Sequence, residues 1–170
     1  MEPKNDIFLS LIETNKGIIY KIAHSYCRSI EDRKDLIQEI IIHLWKSFSK
    51  YDDRYRLSTW IYTIALNVAI SYYRKNKVRN ETTTALPEII YELPVSDDRP
   101  ADANLNLLQA CIQELGELDK ALMILYLEGK SQKEIAQVLG ISATNVSTKI
   151  NRIKNNLKQK FATLKNQHHE

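Results

Sequence analysis

In GKSQKEIAQVLGISATNVSTKINRIKNNL, Gly129 to Leu157, the residues Thr148, Asn151, Arg152 and Asn155 recur at steps of three and four. That spacing sets them on one face of a helix. Amides, a hydroxyl and a guanidinium are the groups that read base edges in a major groove. Lys149 and Lys154 flank the face and suit phosphate oxygens. The opposite face carries Val146, Ile150, Ile153, Leu157, Phe161 and Leu164, an apolar stripe that must lie against a neighbour. Periodicity alone would fit any amphipathic helix. The joint at Leu139-Gly140, with Ser142 opening the next helix, packs two helices at a steep angle and makes the pair a helix-turn-helix.

A second strip lies in RLSTWIYTIALNVAISYYRKNK, Arg56 to Lys77. Ile61, Ile64, Ala65, Val68 and Tyr72 form a core stripe, while Trp60, Thr63, Asn67, Ser71 and Arg74 follow another line. An aromatic, small polar groups and an amide above a basic end suit unpaired nucleic acid, where bases stack and cations follow phosphates. The simpler alternative makes Trp60 a core residue. In DLIQEIIIHLWKSFSKYD, Asp35 to Asp52, the stripe Ile37, Ile40, Leu44 and Phe48 suffices to pack one side of a helix. Ile41, Ile42 and Trp45 extend the apolar surface beyond it. A partner surface with Asp35, Gln38 and Glu39 as its polar rim would account for the excess.

Catalytic chemistry finds little support. Asp35 and Glu39 stand one turn apart, and Asp52-Asp53 resembles half a metal site. Neither has a histidine or second acidic cluster at ligand spacing, and no glycine-rich phosphate loop occurs. His24 and His43 are isolated. The chain is therefore expected to be no enzyme and to need neither cofactor nor metal. Cys27 and Cys111 lie far apart without CxxC spacing, which fits a reducing compartment.

These surfaces need helices to hold them, and the caps and stops supply seven. The spacing predicts helices over 6–25, from Ser29 to about 50, over 58–77, 104–115, 119–127, 132–139 and 143–164. Ser131 with Glu134 forms a capping box, and Gly116, Gly129 and Gly140 stand where helices would end. Pro87, Pro94 and Pro100 interrupt the acidic strip between them. Residues 1–80 hold 14 Lys/Arg against 9 Asp/Glu, a net +5; residues 81–104 hold 1 against 6, a net −5; residues 105–170 hold 9 against 6, a net +3. Basic blocks on either side of an acidic strip suit a polyanion partner. The expected fold class is all-α, with a three-helix domain over 1–80, a flexible acidic linker over 81–103 and a four-helix domain over 104–170. No apolar run is long enough for a signal or membrane span, so a cytoplasmic protein without membrane insertion is expected. His168-His169 reads as tail or tag remnant.

DLIQEIIIHLWKSFSKYD followed by RLSTWIYTIALN resembles the second conserved region of bacterial RNA polymerase sigma factors. LDKALMILYLEGKSQKEIAQVLGISATNVSTKINRIKNNL resembles their fourth region. Both regions in order, with a short linker between, resemble the extracytoplasmic-function subfamily over most of residues 8–165. The resemblance implies that the first helix segment docks on the clamp coiled coil of core RNA polymerase, through Asp35, Gln38, Glu39, Ile41 and Trp45. It implies capture of the −10 element of promoter DNA by Trp60, as stacking aromatic, with Thr63, Asn67, Ser71, Arg74 and Lys75. It gives the −35 element to Ser147, Thr148, Lys149, Asn151 and Arg152, adds packing of this region on the polymerase flap, and brings an anti-sigma factor as a further partner. Thr63-Ile64 stand where housekeeping relatives carry two tryptophans, which implies weaker melting and stricter promoter choice. Ser147 stands where many relatives have arginine, so the −35 preference differs from theirs. The competing reading is a free-standing helix-turn-helix regulator, which would bind duplex DNA unaided, as a dimer on two half-sites.

Overall fold

The computed structural model describes residues 3–82 and 103–167. Among these, seven helices and no strands occur: α1 Pro3–Tyr26, α2 Ile30–Phe48, α3 Leu57–Thr82, α4 Ala103–Gln113, α5 Glu117–Leu127, α6 Gln132–Leu139 and α7 Ala143–Gln167. The expected linker of 81–103 lies outside the described residues except at its two ends, where α3 continues through Thr82 and α4 begins at Ala103. His168-His169 also lie outside them.

Local chemistry explains most boundaries. The Ser29 side chain accepts from the Asp32 N–H at 3.1 Å and starts α2. Ser131 and Glu134 cap α6 reciprocally: the Glu134 N–H donates to Ser131 Oγ at 3.2 Å and the Ser131 N–H to the Glu134 carboxylate at 2.9 Å. Ser142 Oγ accepts from the Asn145 N–H at 3.1 Å and opens α7. Gly129 (φ 71°) and Gly140 (φ 66°) occupy the left-handed conformation that ends a helix. Gly116 corrects the expectation: with φ −60° and ψ 160° it is the N-cap of α5 rather than a left-handed stop for α4. Glycine serves both positions, and its place in the sequence alone does not separate them.

Gly140→Ala is expected to cost about 1 kcal/mol in urea denaturation, and Gly140→Asn clearly less, because asparagine tolerates the left-handed region. A Cβ at Gly140 would meet nothing within 4 Å, so the cost is conformational. Equal stability of all three chains would show that the turn relaxes.

Helices α1–α3 pack around Ile19, Ile22, Leu36, Ile40, Leu44, Ile61 and Ala65. On α2 the buried line is Leu36, Ile40 and Leu44, while Ile37 and Phe48 are half-buried at its edge. The helix is thus rotated slightly from the expected stripe. In the second unit Ala121, Leu122, Leu125, Ile135, Val146, Ile150 and Ile153 form the core beneath α7. The two units also touch. α3 packs on α5 and α6, and α1 on α4 and α5. The contact of α3 with the second unit covers Tyr62, whose ring centroid lies 5.5 Å from the Lys130 ammonium, and α3 also buries Leu66 and Ala69 beyond its expected core stripe.

Candidate nucleic-acid interface

The face of α7 stands out from the second unit as the sequence pattern requires. Thr148, Asn151, Arg152 and Asn155 are exposed, and Ser147 and Lys149 are half-buried beside them. Two of these groups are engaged. Thr148 Oγ1 donates to the Thr144 carbonyl at 3.1 Å, and the Arg152 guanidinium meets both Asp119 oxygens at 3.1 and 3.2 Å. Lys154 lies over the Tyr126 ring, 5.3 Å from its centroid, and donates to its hydroxyl at 3.3 Å. The helix from 143 to 167 contains no carboxylate, so its outer face is purely basic and polar. Thr144 and Asn145 are exposed in its first turn. Recognition helices touch bases with their N-terminal residues, and the sequence reading left these two out although their position after Ser142 marked them.

On α3, Asn67, Ser71, Arg74 and Lys75 are exposed, with Thr63 half-buried and its Oγ1 donating to the Thr59 carbonyl at 2.8 Å. Trp60 is half-buried, its ring centroid 5.0 Å from Tyr51 and 6.5 Å from Phe48. Arg74 Nε donates to a Glu117 oxygen at 3.0 Å. Backbone hydrogen bonding at the start of α5 and, second to it, this bond hold the Glu117 carboxyl below its ordinary range. Before α3, Tyr55 and Arg56 are exposed. They are further candidates that the DDRYR run signalled but that were not singled out.

On α2, Asp35 and Gln38 are exposed and Glu39 and Ile41 half-buried. Ile42 and Trp45 retain 49% and 41% of their surface in solvent, on a helix whose other side is fully packed. The Trp45 ring meets Phe8 edge-on at 5.0 Å, with the Lys4 ammonium 6.0 Å above it. Ile42 therefore joins the docking candidates.

Burial pushes the Cys27 thiol up to about 11, so it stays protonated and unreactive at neutral pH. Among the described residues no group of His, Cys, Asp and Glu could hold a metal ion, and no helix is long and apolar enough to cross a membrane.

Comparison with known proteins follows the same division. Residues 11–79 match the family model of sigma-70 region 2, and residues 105–157 match that of sigma-70 region 4. The chain is 25% identical over 170 residues to the ECF RNA polymerase sigma factor SigW of Bacillus subtilis, covering 94% of this chain and 91% of that protein. It is 28% identical over 159 residues to the ECF RNA polymerase sigma factor SigE of Mycolicibacterium smegmatis, covering 89% of this chain and 60% of that one. Its fold is similar to that of the sigma factor RpoE of Bartonella quintana, solved in complex with the anti-sigma factor NepR. There the TM-score is 0.76 at 17% identity, over 91% of this chain and 96% of the other.

Proposed function

This chain belongs to the extracytoplasmic-function branch of the RNA polymerase sigma factors, and from that premise we propose how its surfaces divide the work. The outer side of α2, with Asp35, Gln38, Glu39, Ile41, Ile42 and Trp45, docks on the clamp of core RNA polymerase. The single observation that carries this is the pair Ile42 and Trp45, left in solvent on a helix already packed along Leu36, Ile40 and Leu44. Large apolar side chains displayed beside polar ones are typical anchors for a partner.

The face Trp60, Thr63, Asn67, Ser71, Arg74 and Lys75 takes the −10 element as single-stranded DNA, and Ser147, Thr148, Lys149, Asn151 and Arg152 take the −35 duplex. The second unit also packs on the polymerase flap, and an anti-sigma factor is a natural further partner. The protein acts in the cytoplasm, as a specificity subunit rather than an enzyme. A free-standing regulator is not favoured, since such a protein would have no use for region 2.

Size-exclusion chromatography with core RNA polymerase from its own host, followed by transcription of genomic fragments, tests this reading. Co-elution with new start sites is the expected result. Tight duplex binding without polymerase would overturn it. Within the −35 surface, Arg152→Ala is expected to cost about 1–3 kcal/mol at one base pair if the guanidinium reads a base. The check is binding to promoter variants, where a uniform loss over all sequences would make it a phosphate contact instead.

A further inference from the structure

Where α1 ends, the C-terminal half of α3 and the first turn of α5 border a cavity of about 440 Å³. That volume falls in the range of small-ligand sites. Its wall carries three cations, Arg28 just after α1, Lys77 on α3 and Lys120 on α5, against one carboxylate, Asp32. None of the three cations enters an ion pair among the described residues. The two acids that share the first turn of α5 with Lys120 are engaged elsewhere, Glu117 with Arg74 and Asp119 with Arg152.

Lys120 decides what the cavity suits. It is only 2% exposed, yet it lines the cavity. Its ammonium lies 5.2 Å from the ring centroids of both Tyr26 and Tyr73. The Tyr26 hydroxyl donates to the Glu117 carbonyl at 2.6 Å, which fixes one of these rings. Two ring faces soften the loss of water but supply neither a countercharge nor an oxygen acceptor. Burial, and then the Arg28 charge, lower the pKa of Lys120. A bound anion would offset that desolvation.

Asp32 narrows the class of anion. It would repel a bare polyanion, but a carboxylate accepts well from a hydroxyl or an amino group. One such donor is already present, the Tyr72 hydroxyl at 3.3 Å. Asn76 and Gln113 add side-chain amides to the wall, each able to donate and accept. The cavity therefore offers charge for a phosphate together with matched polar groups for a sugar or a base. We propose that it binds a nucleoside phosphate, with Lys120, Arg28 and Lys77 taking the phosphate and Asp32, Asn76 and Gln113 the nucleoside. None of these residues belongs to the polymerase or promoter surfaces, so the site stands or falls separately from them.

The test is isothermal titration of the full chain with ADP, GDP and inorganic pyrophosphate at about 0.15 M salt, where loose surface pairing is screened. One of the nucleotides is expected to bind at a single site and raise the melting temperature, with pyrophosphate at least about tenfold weaker. Lys120→Met keeps an unbranched side chain between the rings and removes the charge, and is expected to weaken the nucleotide about tenfold or more. R28Q/K77Q changes only exposed side chains, keeps the fold, and should show a similar loss. Asp32→Asn should narrow the preference for nucleotide over pyrophosphate. No binding of either nucleotide at about 1 mM would overturn the proposal. Binding that survives both Lys120→Met and R28Q/K77Q would place the anion elsewhere on the basic surface and overturn the site. Pyrophosphate as tight as the nucleotides would overturn the nucleoside assignment. A short single-stranded DNA that displaces the nucleotide, and loses the same affinity in Lys120→Met, would make the cavity part of the DNA path and also overturn it.

Discussion

Trp45→Ala is expected to weaken binding to core RNA polymerase about a hundredfold, the size of effect that a central aromatic anchor gives. The side chain retains 41% of its surface in solvent next to Ile42 at 49%, so truncation removes exposed apolar area that only a partner would use. Among the described residues its one ring contact is with Phe8, met edge-on at 5.0 Å, and losing that contact should cost about 1 kcal/mol of stability. The two effects separate cleanly. Titration into core polymerase reports the first, and thermal unfolding followed by circular dichroism reports the second. Unchanged affinity with a lowered melting temperature would make Trp45 a cover for Phe8 and remove the anchor from α2. Ile42→Ala, at a side chain already 49% exposed, should weaken docking while barely moving stability.

Which parts of this molecule were legible beforehand follows from the range of the forces involved. Ser131 and Glu134 are three residues apart, and their capping box was visible because both partners sit in one turn. Gly129 and Gly140 were visible for the same reason, whereas Gly116 was misassigned because its residue type suits two kinds of helix end. The core line of α2 was found one residue out of phase at Ile37, since a helix apolar on more than one side does not fix its own rotation. The pairs across the units had no local signature at all. Arg74 and Glu117 are 43 positions apart, and Lys21 and Glu128 are 107 apart. Charge totals showed a basic first block, but only the folded chain shows which carboxylates lie against it. The candidate faces on α3 and α7 were legible as faces. That Arg74 and Arg152 are already held by acids of α5 was not.

Trp60 is where the sequence and the packing pull in different directions, and a leucine there separates them. Its ring lies half-buried against Tyr51 at 5.0 Å and Phe48 at 6.5 Å, so Trp60→Ala should lower stability by about 2–3 kcal/mol, less than a fully buried aromatic would cost. That loss alone would depress promoter opening and says nothing about base stacking. Trp60→Leu refills much of the space beside Tyr51 and Phe48 and is expected to bring stability back to within about 1 kcal/mol of the parent. Leucine offers no π-face, however, and stacking on one base is worth about 1–3 kcal/mol. With the fold restored, the Trp60→Leu chain should still bind single-stranded promoter DNA about tenfold more weakly in the presence of polymerase, and Trp60→Phe should recover most of that loss. If the leucine chain binds and opens promoters like the parent, Trp60 holds the start of α3 and nothing more. The exposed groups Asn67, Ser71, Arg74 and Lys75 would then carry the single strand without an aromatic platform.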